Sequence, residues 1–413
     1  MHDWRNCMKE INGGVTAPKG FFASGIYAGI KKKRKDMALV YSDVPAKGAG
    51  TFTTNVVKAA PVLWDIKLTK ESDNIQAVVI NSGVANACTG EEGEKNNLIM
   101  AETVARELNI PVSAVYTAST GVIGKQMPID IIRAAIPKLA KELDNSAEAG
   151  TLAAEAIMTT DTYSKQCAVS VIIGGKEVTI GGMAKGSGMI HPNMATLICV
   201  VTTDAAISKE LLQEAVSEDV RHTFNMISVD RDTSTNDSLL ALANGKAGNA
   251  GITEKNDDYY TFCKALNTVT TKLSKMIAAD GEGATKLIEV TVNGAKTWNE
   301  AAVLSKSIIS SNLVKTAVFG NDANWGRILC AMGYSGVDFD PYKVDLTIES
   351  EDGSLQLVKD GMSADYSEEF ATKILSAKEV KAIVDMKQGT ASATAWGCDF
   401  SYDYVRINAD YRS

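Results

Sequence analysis

Residues 181–204 read Gly181-Gly182-Met183-Ala184-Lys185-Gly186-Ser187-Gly188-Met189-Ile190-His191-Pro192-Asn193-Met194-Ala195-Thr196-Leu197-Ile198-Cys199-Val200-Val201-Thr202-Thr203-Asp204. A glycine-rich loop with one lysine runs into a proline. A threonine then stands at the mouth of a β-branched strand, Leu197 to Thr203. On these residues alone three readings stand: a phosphate loop, a plain glycine hairpin, and a strained, backbone-exposed catalytic turn. The first is disfavoured, because the order GxxxxGK[ST] is missing and no helix follows. The other two remain open at this point.

Outward from this stretch, strands and helices alternate. Gln76–Ile80 reads as a buried strand running into the glycine turn Asn81-Ser82-Gly83, and Cys167–Ile173 as another strand. Helical spacing covers Asn97–Asn109, Pro128–Leu143, with Pro128 in a first turn, and Ala147–Met158. Ser208 is placed to cap a helix that buries Leu211, Leu212 and Val216. A longer helix spans Asp257–Ala279 and ends in the break Asp280-Gly281-Glu282-Gly283. Beyond it the pattern predicts strands at Lys286–Val292 and Lys343–Ile348 and a helix at Asn299–Asn312. It also predicts a short helix at Glu379–Asp385 and strands at Gly389–Ala393 and Asp399–Ile407. The class is α+β, with a larger domain over 1–282 and a smaller α+β domain over 283–413.

The bulk numbers bound the function. At 413 residues the chain exceeds what one core usually serves. A formal net charge of -8 and 6% aromatic residues argue against nucleic acid or an anionic membrane as partner. Seven cysteines without CxxC spacing read as free thiols of a reducing compartment, and three histidines make a histidine metal site improbable. No signal-peptide core and no membrane-length apolar run is found, so the expected location is the cytoplasm. The basic run Lys31–Lys35 precedes the strand-like Met37–Tyr41 and is read as a solvated loop. Asp161, Asp230, Asp232 and Asp237 have oxygen donors at spacings that suit Ca²⁺ or Mg²⁺, but local turn and cap hydrogen bonding is the favoured role, so no metal is expected.

The segment Lys185-Gly-Ser-Gly-Met-Ile-His-Pro-Asn-Met-Ala-Thr196 closely resembles the self-cleavage signature of the ornithine acetyltransferase (glutamate N-acetyltransferase) family. Further matches are Asn81–Ala87, Ser119–Gly124, Ile157–Thr162, Val229–Asp237, Asp280–Lys286, Gly320–Arg327 and Tyr402–Ser413. The resemblance runs from about Gly13 to the last residue. It implies an N-terminal-nucleophile fold, a layered αββα core, with the C-terminal α+β domain appended. It implies autoproteolysis between Ala195 and Thr196 into chains 1–195 and 196–413, which stay together as an α2β2 assembly.

The chemistry implied is coherent. Thr196 attacks the carbonyl before it, the resulting ester hydrolyses, and a free α-amino group remains. Its reference pKa of about 7.7–8.0 leaves a sizeable neutral fraction near neutral pH, so nucleophile and base come from one residue. The resemblance assigns the oxyanion contacts to Thr120 and Gly121. It assigns substrate contacts to Thr159, Lys185, Thr196, Glu282, Asn408 and Ser413, the last a serine where many relatives carry threonine. The implied reaction moves acetyl from N2-acetylornithine to L-glutamate through acetyl-Thr196, within arginine biosynthesis. It needs no cofactor and admits acetyl-CoA as an alternative donor substrate. Two rivals are carried forward: an N-terminal-nucleophile amidohydrolase or aminopeptidase, and a non-catalytic amino-acid-binding protein.

Overall fold

The computed structural model describes residues 8–191 and 197–409. Ala195, Thr196 and Ser413 lie outside the described residues. Two compact units are formed: one by 8–186, 197–224 and 233–273, the other by 187–191, 225–232 and 274–409. The chain passes from one to the other at Leu273/Ser274, upstream of the glycine-rich break at which sequence placed the boundary.

The first unit begins with β1 (Met8–Ile11), β2 (Phe21–Ile26), β3 (Met37–Phe52), α1 (Ala60–Glu71), β4 (Ile75–Val84), α2 (Gly90–Leu108) and β5 (Val115–Val122). Then come α3 (Ile129–Lys141), α4 (Ala147–Ala156), β6 (Lys165–Ile173), β7 (Lys176–Lys185), β8 (Ile198–Thr203) and α5 (Lys209–His222). The two-residue β9 (Ile227–Ser228) belongs to the second unit; β10 (Ser238–Ala243) and the first part of α6 (Asp257–Ala279) belong to the first.

Strand β3 organises this unit. Its first part, Met37–Tyr41, pairs with β2 and β4, and its last part, Lys47–Phe52, pairs with β10. The strand thereby passes from one set of strands (β2, β3, β4, β5) to the other (β1, β6, β7, β8, β10). Side chains alternate along it, as a strand requires. Ala38 and Val40, with Val78 and Ile80 of β4, enter a core that also holds Met183, Ile198, Val200, Leu240 and Leu242. Met37 and Leu39, with Ala77 and Val79, enter a second core closed by α2 and α3 through Met100, Val104, Ile132 and Ile136. Outside β7 lies α6: a Cβ added at Gly182 would meet Leu273 Cδ1 at 3.0 Å and Val269 Cγ1 at 3.2 Å. The layers therefore run helix, sheet, sheet, helix, the αββα order expected.

The second unit continues with β11 (Leu287–Ala295), α7 (Trp298–Ile309), α8 (Asn312–Phe319), α9 (Trp325–Gly333), β12 (Asp345–Ser350) and β13 (Gly353–Lys359). It ends with β14 (Met362–Ser363), α10 (Glu368–Leu375), β15 (Glu379–Asp385), β16 (Ala391–Cys398) and α11 (Tyr402–Ala409). Its sheet has the order β14-β13-β12-β15-β11-β16-β9.

Three local expectations are overturned here. Glu379–Asp385 is a strand, not a helix: Val380, Ala382 and Val384 are buried in alternation, and β11 and β12 pair with it on either side. The segment 399–407 is not a strand. Ser401 Oγ accepts the Asp403 N–H at 3.2 Å, and the capped chain turns into α11 despite its β-branched and aromatic content. The single helix expected over Asn299–Asn312 is interrupted at Ser310-Ser311, because Ser311 caps a new helix by accepting the Val314 N–H.

Packing of α4 on β2 depends on Gly25. A Cβ there would lie 2.0 Å from the Leu152 carbonyl oxygen, whereas a Cβ at Gly251 meets nothing within 4 Å. Gly25→Ala is expected to cost about 1–3 kcal/mol by overpacking, read as a lower thermal midpoint, with Gly251→Ala as the neutral control. Equal midpoints for the two variants would refute this close approach.

Candidate active site

Two parallel strands carry the first element. In the β4–β5 register Asn81 lies opposite Ser119 and Gly83 opposite Gly121. The backbones at Gly83 and Gly121 both have positive φ, 114° and 131°. A Cβ on Gly121 would fall 2.3 Å from the Gly83 carbonyl carbon, so no other residue fits without displacing the main chain. Thr120 and Gly121 are thus residues of β5 itself, held in its pairing with β4.

Side-chain amides fix this strand end. Ser119 Oγ donates to Asn81 Oδ1 at 2.6 Å, and Asn81 Nδ2 donates to the Val84 carbonyl at 2.9 Å. Asn236 Nδ2 donates to the carbonyls of both Ser119, at 2.8 Å, and Ala85. Carbonyl and N–H point opposite ways across a trans peptide. Anchoring the Ser119 carbonyl therefore also sets the direction of the Thr120 N–H.

The second element is a buried ion pair. Lys165 Nζ lies 2.7 Å from Asp161 Oδ1, and both side chains are fully buried. Asp161 also accepts the Thr159 N–H at 2.9 Å and the Gly186 N–H at 2.8 Å. Burial by itself would push the Asp161 carboxyl up. The charges of Lys185 and Lys165 and the hydrogen bonds outweigh it and hold the group well below the usual carboxylate range. One carboxylate thus ties Thr159 to Gly186, the residue after Lys185. Lys185 itself is buried.

The basic run 31–35 departs from its expected role. It is a loop before β3, but its cations are not simply solvated. Asp36, fully buried, accepts the backbone N–H groups of Ala28, Gly29, Ile30 and Lys31 at 2.6–3.1 Å. This winds the loop around one carboxylate. Lys31 Nζ then donates to the Met158 carbonyl at 2.9 Å, and Arg34 Nη1 donates to the carbonyls of Thr159, at 3.4 Å, and Asp161, at 3.3 Å. Lys35 pairs with Glu155 at 2.9 Å. The loop is spent on the segment that carries Thr159.

In the second unit Glu282 and Asn408 come together. Asn408 Nδ2 donates to Glu282 Oε2 at 2.8 Å, and the Glu282 N–H donates to the Ser187 carbonyl at 2.9 Å. Gly188 lets the Glu282 carboxyl lie against its backbone, since a Cβ there would sit 2.3–2.4 Å from the carboxyl atoms and Glu282 would have to move aside. Asp230 accepts the N–H groups of Met189, at 2.6 Å, and Ile190, at 2.8 Å, and Met189 has a φ of 56°. His191 Nδ1 is 3.0 Å from Ser228 Oγ. Burial, with Lys306 and Arg231 adding to it, pushes the imidazole down to about 4, so it is neutral at neutral pH.

Of the residues singled out from sequence, Thr120, Gly121, Thr159 and Lys185 lie in the first unit, and Glu282 and Asn408 in the second. Ala195, Thr196 and Ser413 are outside the described residues. Of the aspartates weighed as metal ligands, Asp161 accepts the nearby Thr159 N–H, but it also accepts the distant Gly186 N–H, and Asp230 accepts those of Met189 and Ile190. The bonding is therefore largely between distant segments rather than the local turn and cap bonding expected. Asp232 donates its N–H to Asp230 at 3.2 Å, and Asp237 is buried and bonded by the Leu197 N–H and Ser234. Sequence reasoning missed Lys31, Lys165 and Asn236. A signal existed for Lys31: the basic run ends in an aspartate, which is what winds it. None existed for the ion pair, because a lysine four residues after an aspartate is ordinary. Among the described residues no helix is long and apolar enough to cross a membrane.

Known proteins resemble this chain along most of its length. A family model described as the ArgJ family matches residues 22–413. The arginine biosynthesis bifunctional protein ArgJ of Thermotoga neapolitana is 51% identical over 397 residues, covering 96% of this chain and 99% of that protein. ArgJ 1 of Clostridium acetobutylicum is 52% identical over 403 residues, covering 97% and 98%. Among solved structures, ornithine acetyltransferase from Mycobacterium tuberculosis, complexed with ornithine, aligns with 40% identity and a TM-score of 0.42. That alignment covers 46% of this chain and 99% of that one.

Removing the Asp161 charge leaves Lys165 buried without its counter-ion. Asp161→Asn is expected to destabilise by about 3–5 kcal/mol at neutral pH. The sign with pH follows from the depressed carboxyl. The stabilisation is full above the unfolded value near pH 4 and is lost as pH falls below it. Thermal midpoints of wild type and variant should therefore lie far apart at neutral pH and converge in acid. A gap independent of pH would show that Asp161 is not the charged partner.

Proposed function

The chain belongs to the ArgJ family, and from that premise we propose that it is a glutamate N-acetyltransferase of arginine biosynthesis, activated by cutting its own chain at Ala195–Thr196. The observation that carries the reading is the unbroken signature Lys185–Thr196 inside a family match over residues 22–413. The geometry supports it. The strand end at Thr120-Gly121 is fixed by the close approach of Gly121 to Gly83, and the backbone beside the buried cation Lys185 is tied, at Gly186, through Asp161 to Thr159. In the second unit a carboxylate and an amide, Glu282 and Asn408, are held together by a hydrogen bond. These are groups that fit the amine and carboxylate of amino acids.

In maturation the Thr196 hydroxyl oxygen bonds to the Ala195 carbonyl carbon. The C–N bond breaks, the hydroxyl proton passes to the departing nitrogen, and water hydrolyses the ester. In turnover the neutral α-amine of Thr196 takes the hydroxyl proton while Oγ attacks the acetyl carbonyl of N2-acetylornithine. Thr120 and Gly121 stabilise the oxyanion. The amine returns the proton to ornithine as the C–N bond breaks. Glutamate then attacks acetyl-Thr196 through its amine and leaves as N-acetylglutamate. Nucleophile and base come from one residue, so the scheme requires no cofactor, and acetyl-CoA could replace the first substrate as donor. The substrate contacts proposed are Thr159, Lys185, Thr196, Glu282, Asn408 and Ser413. Chains 1–195 and 196–413 are expected to remain associated as α2β2, in the cytoplasm.

Intact-mass measurement of the purified protein should find these two chains. Incubation with N2-acetylornithine alone should make the 196–413 chain one acetyl group heavier, and glutamate should discharge it as N-acetylglutamate. Thr196→Ala should abolish both events. An active single chain would sink the mechanism, and discharge to water at the same rate with and without glutamate would favour the amidohydrolase rival.

A further inference from the structure

Lys31 stands among three of the residues assigned above to the acyl site, all within the first unit. Its stem packs on Gly83, since a Cβ there would lie 3.0 Å from Lys31 Cγ, and Gly83 is the register partner of Gly121. Its ammonium reaches the Met158 carbonyl, one residue before Thr159, at 2.9 Å. It also lies in the fields of Lys185, Arg34, Asp36 and Asp161.

The charges in this neighbourhood do not cancel. Lys31, Arg34, Lys165 and Lys185 supply four cations. Asp36 spends its carboxylate on four backbone N–H groups, and Asp161 spends its own on Lys165 and two backbone N–H groups. Asp237, also in the field of Lys185, is buried deeply enough that its carboxyl is pushed well up, towards the neutral form. Arg34 bonds two main-chain carbonyls, which are neutral. Among the described residues no carboxylate forms an ion pair with Lys31 or Lys185, although Asp161 lies in the field of both. Like charges held together in a half-buried place are costly unless an anion joins them. An ammonium has three hydrogens, and Met158 takes one of those on Lys31.

We propose that Lys31 is a specificity-determining residue of the acyl site, where its ammonium receives the side-chain carboxylate of the acceptor amino acid. This rests on the transferase reading above. An acceptor with two carboxylates matches two surplus cations, whereas the donor's side chain is cationic. Burial, with Arg34 and Lys185 adding to it and Asp36 and Asp161 opposing, brings the Lys31 ammonium down to about 8. A lysine that close to its titration range gives up its proton readily when a cationic side chain occupies the place, and keeps it when a carboxylate does.

The test uses the matured enzyme and Lys31→Gln, which retains a donor for the Met158 carbonyl but loses the charge. The KM for glutamate should rise about ten- to a hundredfold, the scale of one charge-assisted hydrogen bond. The KM for N2-acetylornithine and the acetylation of the 196–413 chain should stay within a few-fold of wild type. Lys31→Arg should recover most of the glutamate KM. If Lys31→Gln fails to mature, Lys31→Met is measured to the same criterion. If neither matures, preference for glutamate over glutamine as acceptor is compared between Lys31→Arg and wild type. Parallel changes in both KM values, an unchanged glutamate KM, or, in that last comparison, loss of the glutamate preference in Lys31→Arg would overturn the proposal. Failure of the wild type to become acetylated at all would instead overturn the transferase reading, whatever Lys31 does.

Discussion

The contact on which the site depends is the buried pair Asp161–Lys165. An ion pair out of water stabilises little by itself, because desolvation consumes most of the attraction. Its value lies in direction. A carboxylate that must face Lys165 has its remaining lone pairs aimed, and those accept the Thr159 and Gly186 N–H groups. The end of α4 and the end of β7, far apart along the chain, are thereby fixed to one atom group. Lys185 enters this neighbourhood already buried, so its ammonium is held by surroundings that its own side chain does not have to build.

Backbone constraints supply the rest. Gly83 and Gly121 approach each other where no Cβ fits, and the parallel β4–β5 register makes that approach unavoidable. Asn81 and Asn236 then hold the surrounding carbonyls. Amides suit this task because each offers two N–H donors of fixed geometry and no charge to desolvate. Gly121, a position that reading by side chain would pass over, is therefore one that cannot take a side chain without displacing the main chain.

The loop 28–36 shows how a charged segment becomes structural. Four N–H groups around the Asp36 carboxylate form a cradle, and the basic side chains that follow are projected onto the carbonyls of Met158, Thr159 and Asp161. Solvent exposure is the usual fate of such a run. Here the segment that follows α4 presents main-chain carbonyls, and the cations donate to them instead of to water.

By itself the sequence determined the α+β class, most element positions, the family signature and the chemical identity of the site residues. Those are carried by local pattern: the continuous apolar run in β4, the β-branched run in β6, Ser208 capping α5, and the glycine-rich run that precedes Thr196. Tertiary structure decided what local pattern cannot carry. Whether Glu379–Asp385 is helix or strand depended on partners at both edges, β11 and β12, which lie far away in sequence. Whether 399–407 extends or coils depended on the Ser401 cap. Whether Lys31 is solvated or joined to Gly83 and Met158, and whether Asp161 is a metal ligand or the anchor of Lys165, depended on which groups burial leaves within hydrogen-bond reach. Electrostatic roles are set by distance and desolvation, and both are properties of the folded chain rather than of the order of its residues.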